Sequence, residues 1–304
     1  LSPTVRLRAF AKINLGLKIV GKRPDGYHQI RTLYQTIALH DRLSISLGGP
    51  PSAIRVECDD PRVPPGPANL VYRACELWSR ARRFRGAIHV RLEKKIPMGS
   101  GLGGASADAA AALLGLERLT GNHLNLESRL RLGAQLGSDV PLFFWGGRVL
   151  GCGRGEEVYP LWDLPARRCL VVFPGFSVST AWAYREAGRG APSLQLTEMG
   201  KNLRIRRFGA WSHFPLSEWG PAENDFEQVV FARWPELAQL KRRLIRAGAE
   251  SASLTGSGSA VFAVRQPTDS ARKLHRASSF LPAGWQTFPT RTLTRAEYER
   301  LLFA

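Results

Sequence analysis

The stretch Pro97-Met98-Gly99-Ser100-Gly101-Leu102-Gly103-Gly104-Ala105-Ser106-Ala107-Asp108 decides how this chain reads. Ala87 to Ile96 before it reads as a strand, and the Ala- and Leu-rich run from Ala109 to Leu119 after it reads as a helix. The order is therefore strand, glycine-rich loop, helix. Glycine lets a backbone turn into conformations other residues avoid and lets it approach a ligand closely. The first N–H groups of a helix have no partner inside it, and the helix dipole favours negative charge there. Together these features make a cradle for phosphate. A glycine-rich turn leading into a well-capped helix would look the same, so the loop alone leaves both readings open.

Two familiar phosphate loops are excluded. A P-loop needs a Lys directly after its last glycine, and Gly103-Gly104 is followed by Ala105. A dinucleotide fingerprint needs different glycine spacing inside a βαβ unit, and the flanking pattern here is not doubly wound.

The chain has 304 residues, which suggests two domains. Its 44% hydrophobic content is ample for a packed core. No apolar run approaches the roughly 20 residues that span a bilayer, so no membrane partner is expected. Leu1 to Phe10 lacks the apolar segment and small-residue cleavage site of a signal peptide. Cys58, Cys75, Cys152 and Cys169 lie far apart without a Cys-x-x-Cys pair and read as reduced thiols of a cytoplasmic protein. The net charge of +18 raises nucleic acid as a partner. The basic residues are scattered, however. The cluster from Lys241 to Arg246 sits on an expected helix as a solvated face, and no RNP, KH or helix-turn-helix pattern is present. A nucleic-acid partner is not expected.

Val5 to Phe10 and Lys12 to Val20 alternate as strands, and Pro24-Asp25-Gly26 is a tight turn before strands at Tyr27 to Leu39 and Leu43 to Leu47. Ile54 to Cys58 is a short strand among prolines, and Asn69 to Phe84 an amphipathic helix. A helix from Leu126 to Leu136 is closed by Gly137, Phe143 to Trp145 is a buried strand or turn, and Arg148 to Leu161 is a glycine-containing hairpin. Cys169 to Phe173 opens a second half, followed by a short helix at Thr180 to Ala187. Residues 188 to 222 read as an insertion or mobile segment. Two helices broken at Trp234-Pro235 fill Asn224 to Gly248, and Ser251 to Val264 is strand, turn, strand. A last helix and strand close the chain. Antiparallel strands interrupted by helices argue for an α+β fold, with lobes at 1–161 and 162–304.

In the strand reading, Lys12 and Asn14 share one face opposite Ile13 and Leu15. Alone they would be a solvated pair. The set they belong to changes this. Ala11-Lys12-Ile13-Asn14-Leu15, Arg23-Pro24-Asp25-Gly26-Tyr27-His28, the glycine loop, Gly137-Ser138-Asp139-Val140-Pro141, Asn224-Asp225-Phe226-Glu227 and Thr255-Gly256-Ser257-Gly258 follow one another in this order. The whole chain resembles the GHMP kinases in that order, and within them the branch acting on a CDP-linked polyol. Asp25-Gly26-Tyr27-His28 is the discriminating element, since other GHMP kinases lack it.

The resemblance implies a two-lobed fold, with an N-terminal lobe like ribosomal protein S5 domain 2 and a ferredoxin-like C-terminal lobe. It implies ATP-dependent phosphorylation of an alcohol, with magnesium, by a monomer or homodimer. Asp139 would accept the hydroxyl proton, and Lys12 beside it would face the developing phosphoryl charge. Pro97, Met98, Gly99, Ser100, Gly101, Leu102, Gly103, Gly104, Ala105, Ser106 and Ala107 would hold the ATP phosphates. Asn69 and Lys94 match positions lining the adenosine pocket. A helix cap for Asn69 and a rim charge for Lys94 remain open. Asn14 and His28 would face the acceptor, and Tyr27 and Tyr184 would stack on the two faces of its cytosine. Many GHMP kinases carry Gly-Leu-Gly-Ser-Ser in the loop, the first Ser aiding magnesium. Here Gly104 and Ala105 occupy those places with Ser106 next, so no magnesium ligand is assigned. A kinase for mevalonate or another small alcohol is the nearest rival, and a basic nucleic-acid-binding protein the more distant one.

Overall fold

The computed structural model describes residues 3–49, 53–188, 221–265 and 281–303. Two sheets, each covered by helices, make up these residues. Strands β1 (Thr4–Lys22) and β2 (His28–Gly48) form a long antiparallel hairpin around the expected Pro24–Gly26 turn. Each expected pair of strands is here one continuous strand. Register shifts between Phe10 and Lys12, Asn14 and Gly16, and Ile19 and Gly21 absorb the irregularities. Such bulges bend a strand without ending it.

The first sheet is completed by β3 (Ile54–Cys58), β4 (Ala87–Glu93), β5 (Arg148–Cys152), β6 (Glu157–Pro160) and β8 (Glu223–Asn224). The second sheet runs β11-β7-β10-β9, with β7 at Arg168–Phe173, β9 at Ser251–Leu254, β10 at Val261–Arg265 and β11 at Gln286–Arg291. Glu223–Asn224 pairs with β1 in parallel, so a piece of the second half enters the first sheet.

Helices α1 (Leu70–Arg82), α2 (Gly104–Thr120) and α3 (Leu126–Leu136) cover the first sheet. Trp78, Leu113 and Leu116 pack there with Leu43 and Ile45. Helix α2 begins at Gly104, five residues before the expected Ala109. The end of the glycine loop is thus already its first turn, which the glycines disguise in the sequence. Gly115 lets the helix lie close to the sheet, since a Cβ there would come 2.6 Å from Ile45 Cδ1. Pro141–Phe144 forms a 3-10 turn, the turn of the two expected alternatives.

The second sheet carries α4 (Thr180–Ala187), α5 (Glu227–Arg233) and α6 (Pro235–Arg246), with Leu237, Leu240 and Leu244 buried against Val172 and Val261. The break at Trp234-Pro235 stands where the sequence puts it. A third buried cluster, including Ile13, Ile37, Val171 and Phe262, joins residues of both sheets. The expected closing strand and helix are β11 and then α7 (Arg295–Leu302), while residues 266–280 before them lie outside the described residues. The sequence sign of α7 is a capping box from Thr294 to Glu297. Tyr298 and Leu302 pack into the core of the first sheet. Residues 189–220, most of the expected insertion, lie outside the described residues.

Candidate active site

A cavity of about 950 Å³ is lined by β1, the start of β2, the glycine loop, Asp139, the β5–β6 turn, α4 and Gly256–Ser257. It brings together Lys12, Asn14, Tyr27, His28, Asn69, Lys94, residues 97–106, Asp139 and Tyr184. Ala107 is the exception. The helix turns it from the cavity into the core, where it is 2% exposed, so it is corrected from loop residue to packing residue.

The loop is held open by backbone conformation. Gly99, Gly101 and Gly103 have φ of 65°, 82° and 73°, values that favour glycine. Gly103 caps α2, and no side chain bonds to that terminus, which suits an anion. The loop also docks on the second lobe. Thr255 Oγ1 donates to the Gly101 carbonyl at 3.2 Å, and the Ala260 amide donates to the Ser100 carbonyl at 3.0 Å. A Cβ on Gly101 would fall on the Thr255 carbonyl oxygen. The C-terminal motifs support that turn. Asn224 Nδ2 donates to the carbonyls of Leu254 and Gly256, and Glu227 accepts from the Leu254 amide.

Lys12 and Asp139 meet in the cavity, Nζ to Oδ2, at 3.5 Å. Burial pulls the Lys12 ammonium below its ordinary pKa, with Asp139 acting against it. Asn14 serves chiefly to fix Lys12. Its Oδ1 accepts from Lys12 Nζ at 2.6 Å, from the Gly256 amide at 2.8 Å and from Thr255 Oγ1, while Nδ2 donates to Thr32. Tyr34, a residue missed in the sequence, donates its hydroxyl to Asp139 Oδ1 at 2.9 Å. It faces Asn14 across the β1–β2 register. Only that pairing could have singled it out.

Asn69 caps α1 by accepting from the Val71 amide at 2.8 Å, as the capping alternative has it, and it also lines the cavity. Lys94 is no rim charge. Its ammonium is buried between Asp41 and Asp108, at 2.7 Å from Asp108 Oδ2. Burial pulls Lys94 down, but Asp108 and Asp41 together hold it above its ordinary value. Burial pushes Asp108 up to about 8, Lys94 pulling against this and Asp41 adding to it. Asp41 also accepts from the Lys95 and Ile96 amides, whereas Asp108 Oδ1 has no hydrogen-bond partner among the described residues. Both aspartates were missed. The one legible sign was an acid, Asp108, set among the alanines at the start of α2.

At the other end, Tyr27 is 55% exposed and lies under the Arg154 guanidinium, 4.8 Å from ring centroid to Cζ. His28 stacks on Tyr184 at 5.2 Å and 16°, and Tyr184 meets Phe226 edge-on. The expected arrangement stacks Tyr184 on the cytosine; in the structure the His28 ring lies against one face of Tyr184. Burial and then Lys22 keep His28 below its ordinary pKa, favouring a neutral ring that both donates and accepts.

Family comparison agrees with this geometry. Residues 69–147 match the GHMP kinases N terminal domain, and residues 211–282 match the GHMP kinases C terminal domain. The chain is 49% identical to the 4-diphosphocytidyl-2-C-methyl-D-erythritol kinase of Solibacter usitatus, over 84% of this chain and 79% of the relative. It is 41% identical to the enzyme of that name from Moorella thermoacetica, over 94% and 98%. A crystal structure of 4-(cytidine 5'-diphospho)-2C-methyl-D-erythritol kinase superposes with a TM-score of 0.72 and 32% identity, covering 94% of this chain and 98% of that one. Homoserine kinase from Cytophaga hutchinsonii, at 19% identity and a TM-score of 0.65, shares the fold. The chain belongs to the 4-diphosphocytidyl-2-C-methyl-D-erythritol kinase family of the GHMP kinases.

Proposed function

We propose that the protein transfers the terminal phosphoryl group of ATP to the 2-hydroxyl of 4-(cytidine 5'-diphospho)-2-C-methyl-D-erythritol, giving the 2-phosphate and ADP in the non-mevalonate route to isoprenoid precursors. The observation that carries this reading is the Lys12–Asp139–Tyr34 group, set in the same cavity as the uncapped N-terminus of α2. Phosphoryl transfer asks the protein mainly for positioning and charge. Asp139 takes the proton of the acceptor hydroxyl as its oxygen bonds to phosphorus and the bond to the ADP oxygen breaks. Lys12 faces the charge of the moving group, and the amides at the start of α2 face the phosphates that remain.

Magnesium, when bound, neutralises phosphate charge. Among the described residues no three His, Cys, Asp or Glu side chains gather. We read the ion as carried on the ATP phosphates and its own waters, with no protein ligand assigned. Among the described residues no helix is long and apolar enough to cross a membrane. The reading is of a cytoplasmic enzyme for small molecules, as monomer or homodimer, with no nucleic-acid partner.

The test is ADP release with the CDP-linked polyol beside mevalonate, homoserine and galactose. Turnover with the first alone is expected. Preferred turnover of mevalonate would replace the acceptor assignment.

A further inference from the structure

We infer that Arg154, together with Lys22, binds the diphosphate of the acceptor. This deepens the proposed function and rests on it. A CDP-linked polyol brings two anionic phosphates into the cavity in addition to those of ATP. Among the described residues five cationic side chains line that cavity: Lys12, Lys22, Lys94, Arg154 and Arg185. Lys12 and Lys94 are buried and engaged with Asp139, Asp41 and Asp108. Arg185 is 66% exposed and leans on Glu186. The first turn of α4 also reaches the cavity, but Ser179 caps it. The acceptor phosphates are left with Lys22, which pairs with His28 in the β1–β2 register, and Arg154.

Arg154 is presented by a built turn. Gly153 and Gly155 flank it with φ of 69° and 112°. The turn is closed by the Gly155 amide donating to the Cys152 carbonyl at 2.8 Å, and tied to β2 by the Ile30 amide donating to the Gly153 carbonyl at 2.8 Å. Glu156 accepts from the Arg154 amide at 2.6 Å and from its Nε at 3.2 Å. That fixes one edge of the guanidinium over Tyr27. Its two terminal nitrogens make no hydrogen bond among the described residues. A guanidinium held in this way offers a planar fork matched to phosphate oxygens. The same turn backs the chemistry, because a Cβ on Gly155 would come 2.5 Å from the Tyr34 hydroxyl that holds Asp139. The acceptor's diphosphate and its reacting hydroxyl would therefore be positioned by one rigid element.

The test uses the full chain with cytidine, CDP and the CDP-linked polyol, in wild type, Arg154→Gln, Arg154→Lys and Lys22→Gln. Wild type should bind CDP more tightly than cytidine. Arg154→Gln should raise the KM for the polyol about tenfold or more, erase most of the preference for CDP, and leave cytidine affinity and the KM for ATP unchanged. Arg154→Lys should fall between, and Lys22→Gln should show the same trend more weakly. The Lys22 variant keeps the question answerable if the Arg154 variants do not fold. A merely bracing Arg154 would lower cytidine and CDP affinity by the same factor, and that result overturns the inference. Failure of the proposed function itself would show separately, as no turnover of the polyol by wild type, and the inference would fall with it.

Discussion

Lys12 and Lys94 stand in one cavity, 3% and 7% exposed, and their surroundings are opposite. Lys12 faces one carboxylate at 3.5 Å, and burial lowers its pKa. Lys94 is clasped by the Asp41 and Asp108 carboxyl groups, which hold its pKa up against burial. A buried cation with one loose partner gains from an incoming anion, because its own desolvation is incompletely offset. A cation in direct contact with Asp41, with the Asp108 carboxyl group on its other side, has no such need. The contrast supports the proposed role of Lys12 in facing the phosphoryl charge. Lys94 instead fastens β2, through Asp41, to α2 beside the glycine loop, and any contact it makes with nucleotide is secondary to that clasp.

The sharpest way to break the contrast is at Asp139. Asp139→Asn should cut turnover at least about a hundredfold, the usual scale for loss of a general base, while nucleotide binding stays near wild type. Initial rates and a nucleotide titration measure both. Near-normal turnover in the folded variant would remove Asp139, and Lys12 with it, from the chemistry.

Tyr34→Phe probes the same pair more gently. The ring is kept and only the donor to Asp139 is lost. The expected result is a fall in kcat of about three- to tenfold, the scale of one hydrogen bond, with little change in either KM. A purely structural tyrosine would leave kcat unchanged.

The smallest effect belongs to the Lys94 clasp and concerns stability. Asp108 holds its proton up to about 8 when folded, against an ordinary value of 3.8. The folded state thus binds more protons between these values. Stability contributed by this group is present at low pH and is lost as the pH rises towards 8. Asp108→Asn removes the titration, so its stability relative to wild type should improve steadily from pH 5 to pH 8. Denaturant unfolding across that range is the measurement, and parallel curves would contradict the clasp described here.

The glycine loop, the Pro24–Gly26 turn and the Trp234-Pro235 break were legible because each is a local backbone demand written in residue type. Lys12, Asn14 and Asp139 became legible through motifs that follow one another along the chain. Tyr34, Asp41 and Arg154 were not, since their roles arise from pairings between distant segments and not from their neighbours in sequence. Tyr34 acquires its meaning from a register opposite Asn14 and a loop 105 residues away. The two halves of β1 looked like separate strands because bulges interrupt the alternation at the positions that turn Lys12 and Asn14 into the cavity. Ala107 looked like loop because the glycines before it conceal where α2 begins.

The central claim is that Lys12 and Asp139 direct phosphoryl transfer to one hydroxyl of a CDP-linked polyol. Phosphorus and carbon NMR of the product made from ATP tests it most directly. The account predicts one new phosphomonoester coupled to the carbon that bore the 2-hydroxyl, with the diphosphate signals intact and ADP formed in equal amount. Phosphate on another carbon, or ADP formed with only inorganic phosphate beside it, would contradict it.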